Sequence, residues 1–168
     1  MKYLSLIFLV LMLTGCSMQT AAWETVSDTM SVPVSGQIQA DYDVTVGLSE
    51  SALTDRTENC RHYETETLQV DVWNFQAADL HTAVRQLSGF EAEKLTILQT
   101  NRFDLPEYQF AWYCQTEEGG RLCRADLVMD GMTCYAVVCS FPEEAGEEAW
   151  TESRQVISSF GLTPSDAV

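Results

Sequence analysis

The sequence predicts an α+β protein in which helices pack on a mainly antiparallel sheet of about six strands. Apolar residues make up 46% of the 168 residues and charged residues 20%, which is typical of a globular domain and not of a disordered chain. Most segments alternate apolar and polar residues, whereas two segments repeat apolar residues at helical spacing. The last three strand segments are separated only by short turns, and such turns join antiparallel neighbours.

Strand patterns dominate the first half of the chain, and one helix follows them. Apolar residues at every second position over residues 42–48 would lie on one face of a strand. The helix is predicted because four apolar residues recur at positions i, i+3, i+4 and i+7. Asp79 in its first turn and Gly89 just after its end favour its start and its stop. The strand segments are 23–30, 42–48, 59–64 and 67–76, and the apolar face of the helix is Leu80, Ala83, Val84 and Leu87.

The second half is predicted to contain four strands and a C-terminal helix. Pro106 lies between the first two of these strands and is expected to interrupt the strand pattern there. Asp130-Gly131 predicts the hairpin turn between the last two, because a type I′ turn needs positive φ at both central residues. Pro142 is expected at the first position of the helix and Gly161 just after its end. The strands are 94–100, 108–116, 121–129 and 132–141, and the inward stripe of the helix is Ala149, Trp150, Ser153, Val156, Ile157 and Phe160.

The first 16 residues, MKYLSLIFLVLMLTGC, have the organisation of an export signal. Lys2 supplies a positive charge, and an almost unbroken apolar run follows it. This run is shorter than the roughly 20 residues of a membrane-spanning helix, and it fits the roughly 7–15 apolar residues of a signal peptide. It ends in Leu13-Thr14-Gly15-Cys16, which is an apolar residue, two small residues and a cysteine.

This tetrapeptide resembles the lipobox of bacterial lipoproteins. The resemblance implies that diacylglycerol is attached to the thiol of Cys16 and that the lipoprotein signal peptidase cleaves between Gly15 and Cys16. Each buried methylene adds about 0.8 kcal/mol, so two or more acyl chains would hold the protein firmly at the extracytoplasmic face of the cell membrane. The alternatives are an ordinary secretory signal with an incidental cysteine, or a signal anchor.

The chain is therefore divided into a signal peptide at 1–15, a lipidated tether at 16–22, one α+β domain at 23–162 and a tail at 163–168. Removing residues 1–15 removes one lysine and no acid, which takes the net charge from −16 to −17. So negative a chain is not expected to bind nucleic acid by neutralising phosphates. Adhesion of its protein surface to anionic lipids is disfavoured for the same reason.

The C-terminal part of the sequence supports a further resemblance. The run from Cys134 to Phe141 is almost wholly apolar, which predicts a strand buried on both faces. Pro142 and an acidic helix follow, and the helix ends in Val156-Ile-Ser-Ser-Phe-Gly-Leu162. This pattern, over residues 108–162, resembles small bacterial lipoproteins with the PsbP-like α/β/α sandwich. The resemblance implies a fold and a binding or assembly role, and it transfers no catalytic residue.

Five cysteines remain apart from Cys16, and an odd number cannot all pair within one chain. A turn centred on Glu118-Gly119 would place Cys114 directly opposite Cys123, which makes this pair the candidate disulfide. The alternative is that all five are buried, reduced thiols that fill the core. The five residues are Cys60, Cys114, Cys123, Cys134 and Cys139.

The Asp130-Gly131 turn would likewise place Cys134 opposite Leu127 and Cys139 opposite Leu122. Strand alternation then puts Cys114, Cys123 and Cys134 on one face of the sheet and Cys139 on the other.

No sequence motif predicts catalysis, a metal site or a cofactor. Cys60-Arg61-His62 places a thiol and an imidazole on one face of a strand, as a nucleophile–base pair or a two-ligand metal fragment would need. No second C-x-x-C or H-x-x-x-H completes such a fragment, so no metal site is predicted. His81 lies beside the apolar stripe of its helix and is expected in solvent.

Together these features predict a membrane-anchored lipoprotein with a non-catalytic binding or envelope-assembly domain. Its partners would be the membrane, through the lipid on Cys16, and an envelope protein. One alternative is a small-ligand-binding lipoprotein with a pocket between sheet and helix. The other is an enzyme that works through Cys60 and His62 or through paired carboxylates.

Overall fold

The computed structural model describes residues 42–165, which form nine strands, two α-helices and three short 3-10 helices. The α-helices are α1 (Leu80–Ser88) and α2 (Gly146–Ser158), and the 3-10 helices span Glu50–Ala52, Ala92–Lys94 and Glu143–Ala145. The strands are β1 (Tyr42–Thr45), β2 (Leu53–Arg56), β3 (Cys60–Glu64), β4 (Gln69–Gln76), β5 (Leu98–Arg102), β6 (Leu105–Thr116), β7 (Gly119–Asp130), β8 (Thr133–Pro142) and β9 (Gly161–Pro164).

Seven of these strands form one sheet in the order β2-β3-β4-β8-β7-β6-β5, and β1 pairs with β9 in a separate ribbon. Every strand pair is antiparallel. The predicted α+β class with a mainly antiparallel sheet and a C-terminal meander is confirmed, and the main sheet has seven strands where about six were expected.

Both faces of the large sheet are buried at its centre. The first face packs against α1, and the second face packs against α2 and β1. Residues of β8 alternate between the two cores: Ala136 and Val138 belong to the first, whereas Val137 and Cys139 belong to the second. None of these four side chains is more than 3% exposed, which confirms the predicted double burial of this strand.

Helix α1 begins and ends where its sequence predicts. The side chain of Asp79 accepts a hydrogen bond of 2.8 Å from the backbone N–H of Thr82, which caps the N-terminus. Gly89 follows the helix with φ of 76°, a left-handed conformation that glycine adopts without a Cβ clash. Its buried face includes Ala83, Val84 and Leu87, as the apolar spacing predicts.

Two predictions at the ends of α2 are wrong. Pro142 is the last residue of β8, opposite Arg121, and the helix begins only at Gly146 after a 3-10 turn. Proline fits a strand end as well as a helix start, because both tolerate the missing N–H. Gly161 begins β9, where a Cβ would lie 2.5 Å from Oγ1 of Thr45. The predicted inward stripe of α2 is confirmed for Ala149, Ser153, Val156 and Ile157, which are buried, and for Trp150, which is half-buried against Phe141. Phe160 is buried as well, but it lies two residues beyond the end of the helix at Ser158.

The strand predicted at 94–100 lies further along the chain. Lys94 ends a 3-10 helix, and β5 begins only at Leu98. Pro106 does not interrupt the sheet but lies within β6, one residue before the pairing with β7 begins. The start of a strand tolerates proline because one side of the backbone is not yet paired. The turn is made instead by Phe103 and Asp104, which both have positive φ.

A buried ionic cluster joins β5, β6, β7 and the end of α2. Nη1 of Arg102 lies 3.1 Å from Oδ2 of Asp126 and 3.5 Å from a carboxylate oxygen of Glu107. The same guanidinium donates to the carbonyl oxygens of Ile157 and Ser158 at the C-terminus of α2, where a positive charge is favourable.

Two carboxyl groups in this cluster share one cation. Burial, followed by the neighbouring Glu107, raises the pKa of Asp126 to about 7, and Arg102 opposes the shift. Oδ1 of Asp126 has no hydrogen-bond partner among the described residues.

The predicted signal peptide, the tether, the strand at 23–30 and residues 166–168 lie outside the described residues. Cys16 and Gly15 lie there as well. Strand β9 continues to Pro164, two residues past the predicted end of the domain at 162. Neither α-helix between residues 42 and 165 has the length and apolar character to cross a membrane.

The raised pKa of Asp126 predicts a stability change between about pH 4 and pH 7 that an Asp126→Asn variant lacks. The folded state binds the Asp126 proton more tightly than the unfolded state does. Protonation of Asp126 therefore adds to the free energy of unfolding at low pH, and this contribution is lost as the pH rises through about 7. In urea titrations, wild type should lose about 1–3 kcal/mol more unfolding free energy over this range than the variant.

The control is Asp43→Asn, because Asp43 is an exposed carboxylate on β1. This variant should keep the pH dependence of wild type. Equal pH slopes for wild type and Asp126→Asn would contradict the assignment.

Candidate functional site

A thiol, an imidazole and a carboxylate meet on the first face of the sheet. Cys60 and His62 are two residues apart on β3, so strand alternation places them on the same face, as predicted. Asp71 lies directly opposite His62 on the neighbouring strand β4. The third member of this cluster was missed by sequence analysis, because the register of β3 against β4 is not visible as a motif.

The distances show how the three groups are arranged. Nδ1 of His62 lies 2.6 Å from Oδ1 of Asp71 and 3.9 Å from Sγ of Cys60. The side chains of His62 and Asp71 are 37% and 26% exposed, whereas Cys60 is buried. The cluster therefore has its sulfur inside the protein and its imidazole and carboxylate at the surface.

Burial dominates the electrostatics of this cluster. It raises the pKa of the Cys60 thiol well above the usual value, and the charge of Asp71 adds to the shift. Burial also raises the pKa of Asp71, although the hydrogen bond from His62 opposes this. Cys60 is thus held as a neutral thiol in this arrangement.

The geometry disfavours a catalytic relay through Cys60 and His62. Such a relay needs the acid on one ring nitrogen and the nucleophile on the other. Here Asp71 and Cys60 both contact Nδ1. A reactive cysteine also needs a lowered pKa, whereas burial raises that of Cys60.

The same three groups form a set of possible metal donors. The sulfur, the ring nitrogen and a carboxylate oxygen all lie within 4.8 Å of one another, and no other such group occurs among residues 42–165. Sulfur, nitrogen and oxygen donors together are typical of zinc and related transition metals.

The structure corrects the predicted register of both C-terminal hairpins by two residues. Thr116 pairs with Gly119 and Asp130 pairs with Thr133, so the turn residues are Glu117-Glu118 and Gly131-Met132. Gly131 has φ of 59°, and a turn with glycine at its first central position needs positive φ only there.

The cross-strand neighbours of the cysteines change accordingly. Cys114 lies opposite Arg121 and Cys123 opposite Trp112, while Cys134 faces Met129 and Cys139 faces Arg124. The predicted opposite pairs Cys114–Cys123, Cys134–Leu127 and Cys139–Leu122 are therefore wrong as registers.

The predicted distribution over the two faces is nevertheless confirmed. Cys114, Cys123 and Cys134 belong to the first core and Cys139 to the second. A register error of two residues preserves the face of every side chain, because strands alternate with a period of two.

The diagonal pair Cys114 and Cys123 is still close. Their sulfur atoms lie 3.5 Å apart, a contact distance well above the roughly 2.0 Å of a disulfide bond. A hydrogen bond from Cys114 and then burial raise the pKa of Cys123. Burial raises the pKa of Cys134 and that of Cys139 to about 12 each. Joining Cys114 and Cys123 in a disulfide removes two electrons and two protons, so it needs an oxidant.

His81 lies at the surface, as expected, with Nδ1 2.9 Å from a carboxylate oxygen of Glu93. No cysteine belongs to this pair. It therefore provides an internal comparison for the cluster on β3 and β4.

Comparison with known proteins identifies no family for this chain. No protein-family model matches the chain. No curated protein matches it. A crystal structure of a protein from Bacteroides thetaiotaomicron VPI-5482 is similar to 76% of this chain at 11% sequence identity, with a TM-score of 0.45. The match covers 44% of that structure, so the chain spans less than half of its length.

The 3.5 Å contact predicts that Cys114 and Cys123 form a disulfide when the folded protein is treated with glutathione disulfide. The two thiols lose two electrons and two protons, which reduce the glutathione disulfide to two glutathione thiols. Peptide mapping after alkylation under denaturing conditions should find these two cysteines joined and the buried Cys60, Cys134 and Cys139 alkylated.

A Cys123→Ser variant should leave Cys114 as a mixed disulfide with glutathione or as a thiol. Complete alkylation of both cysteines in treated wild type would rule the disulfide out.

Proposed function

We propose that this chain is a bacterial lipoprotein and that its domain binds a partner in the cell envelope without catalysing a reaction. One observation carries the proposal: a positive residue, an apolar run of signal-peptide length and Leu13-Thr14-Gly15-Cys16 follow one another at the N-terminus. The lipid on Cys16 provides the membrane contact. The protein surface itself, with a net charge of −17 once residues 1–15 are removed, is repelled by anionic headgroups.

Two features of the described residues support a binding role over the enzymatic alternative. Cys60 and Asp71 meet the same nitrogen of His62, which does not make a nucleophile–base relay. The buried carboxylates Glu107 and Asp126 are 5% and 0% exposed, so a substrate does not reach them. Neither the Cys60–His62 pair nor this pair of carboxylates is therefore suited to catalysis.

The packing between sheet and helix counts against the small-ligand alternative. The cavity between β4 and α1 is lined by Trp73, Phe75, Gln86 and Leu87 and has a volume of about 0 Å³ for a molecule the size of water. Sites for small ligands usually have roughly 300–1,000 Å³. A protein partner that contacts the outer surface fits this filled interior better.

The charge of the chain suggests the chemistry of that partner. With 25 acidic and 9 basic residues, the chain is complementary to a basic protein surface. Such an association is steered by long-range electrostatics and weakens as salt screens the charges.

Replacing Cys16 with serine tests the anchor. Wild type should fractionate with the membrane and yield an N-terminal peptide that begins at a lipid-modified Cys16 in mass spectrometry. Cys16→Ser should keep residues 1–15 and carry no lipid, because serine lacks the thiol that accepts diacylglycerol. Ser17→Ala is the matched control and should be processed like wild type. An unmodified Cys16 on wild-type protein would contradict the proposal.

Crosslinking in the native envelope tests the binding role. A basic envelope protein should be captured by wild type at low salt and less efficiently at high salt. Capture that does not change with salt would contradict a charge-driven association.

A further inference from the structure

We propose that Cys60, His62 and Asp71 bind one divalent transition-metal ion of the zinc class, with water from solvent as the fourth ligand. The donors are Sγ, Nδ1 and a carboxylate oxygen. This inference goes beyond the proposed function and does not depend on the lipid anchor.

The backbone brings the three donors together before any metal binds. Cys60 and His62 project from alternate positions of β3, and the β3–β4 ladder pairs His62 with Asp71. Donors on paired strands are held more firmly than donors on loops. Cys60 is also fixed by Thr57, which accepts a 3.0 Å hydrogen bond from its N–H and donates one of 2.8 Å to its carbonyl oxygen.

The spacing is close to what a tetrahedral ion requires. Bonds of roughly 2.0–2.3 Å separate neighbouring donors by about 3.3–3.7 Å. The Cys60 Sγ and His62 Nδ1 atoms are 3.9 Å apart, and the His62 Nδ1 and Asp71 Oδ1 atoms are 2.6 Å apart. Side-chain rotations that move the sulfur slightly inward and the carboxylate outward, each by less than about 1 Å, satisfy both distances.

The chemistry of the donors selects the class of metal. Calcium and magnesium prefer sites built from oxygen alone, whereas a thiolate and an imidazole favour zinc, cobalt and related ions. A thiolate bound to such an ion is stabilised by the charge of the metal even where burial disfavours it. The mixed set is therefore suited to zinc.

The carboxylates around His62 favour a bound cation, and one side of the site is open to solvent. Asp55 on β2 lies opposite His62 from the other side, so two carboxylates flank the imidazole in one row across three strands. Two arginines oppose a cation here: the charge of Arg61 acts on Cys60, and that of Arg121 acts on Asp71. The guanidinium of Arg61 donates to the carbonyl oxygen of Val44, and that of Arg121 donates to Ser140 on β8. The partial exposure of His62 and Asp71 leaves one side of the site open to solvent, where a water ligand binds.

The protons balance in the binding step. A bond forms between the metal and Sγ, and the thiol proton of Cys60 goes to solvent. A second bond forms at Nδ1 of His62, and the imidazole proton that Nδ1 shares with Asp71 moves to Nε2 by way of solvent. Asp71 exchanges its hydrogen bond for a metal bond, so one proton is released for each ion bound.

Metal titration of the full-length chain in detergent tests the site. Calorimetry with zinc should give one site per chain, and cobalt should produce the intense near-ultraviolet absorption of a thiolate-to-metal transition. The variants Cys60→Ser, His62→Gln and Asp71→Asn should each weaken zinc binding by about tenfold or more. Cys60→Ser should also abolish the cobalt–thiolate absorption.

Four control variants separate this site from other thiols and imidazoles. His81→Gln removes the exposed imidazole beside Glu93, and Cys16→Ser removes the N-terminal thiol. Cys139→Ser and the double variant Cys114→Ser/Cys123→Ser remove thiols elsewhere on the sheet. All four should bind zinc as wild type does.

Two results would overturn the proposal: no one-to-one zinc binding by wild type, or equal zinc affinity in wild type and the folded ligand variants. If Cys60→Ser fails to fold, His62→Gln and Asp71→Asn still decide, because both replaced side chains are partly exposed. Failure of the Cys16 experiment would leave this result unaffected, since the site lies within residues 60–71.

Discussion

Burial of both faces of the central strands is the constraint on which the rest of the structure depends. Strands β7 and β8 contribute side chains to both cores, so each face needs its own cover. Helix α1 covers the first face, and α2 with β1 covers the second. Helix α1 has 9 residues, whereas α2 has 13 and is joined by β1. The partly exposed His62 and Asp71 lie on the first face, near the edge of the sheet formed by β2. The candidate metal site therefore occupies the part of the sheet that the packing leaves partly open.

The second face is closed by an ionic contact within an apolar layer. Arg102 joins the end of β5 to Asp126 on β7 and to the last carbonyl groups of α2. The ring of Phe160 lies beneath the guanidinium, with its centroid 5.3 Å from Cζ. One side chain thus neutralises a buried carboxylate and fixes where the helix ends. A hydrophobic side chain at position 102 would leave Asp126 without its ion-pair partner.

Prediction from sequence succeeded where interactions within a few residues determine the structure. It failed where a residue type, such as proline or glycine, is compatible with more than one structural position. The apolar spacing of α1, its cap at Asp79 and its stop at Gly89 all follow from interactions within a few residues. Pro106 and Pro142 were misplaced because proline is tolerated at strand ends as well as at breaks and helix starts. Gly161 was expected to end a helix, whereas the approach of Thr45 from a distant strand accounts for the glycine.

The candidate site shows the same division between local and long-range information. By itself, the sequence determined that Cys60 and His62 share a face, that the cysteines divide between two faces, and that the chain is strongly acidic. These properties depend only on composition and on the two-residue period of a strand. Only the tertiary structure decided that Asp71 lies opposite His62 and that Cys114 meets Cys123 diagonally. Strand register is set by turn geometry and by burial of residues far apart in the chain, so no local pattern determines it.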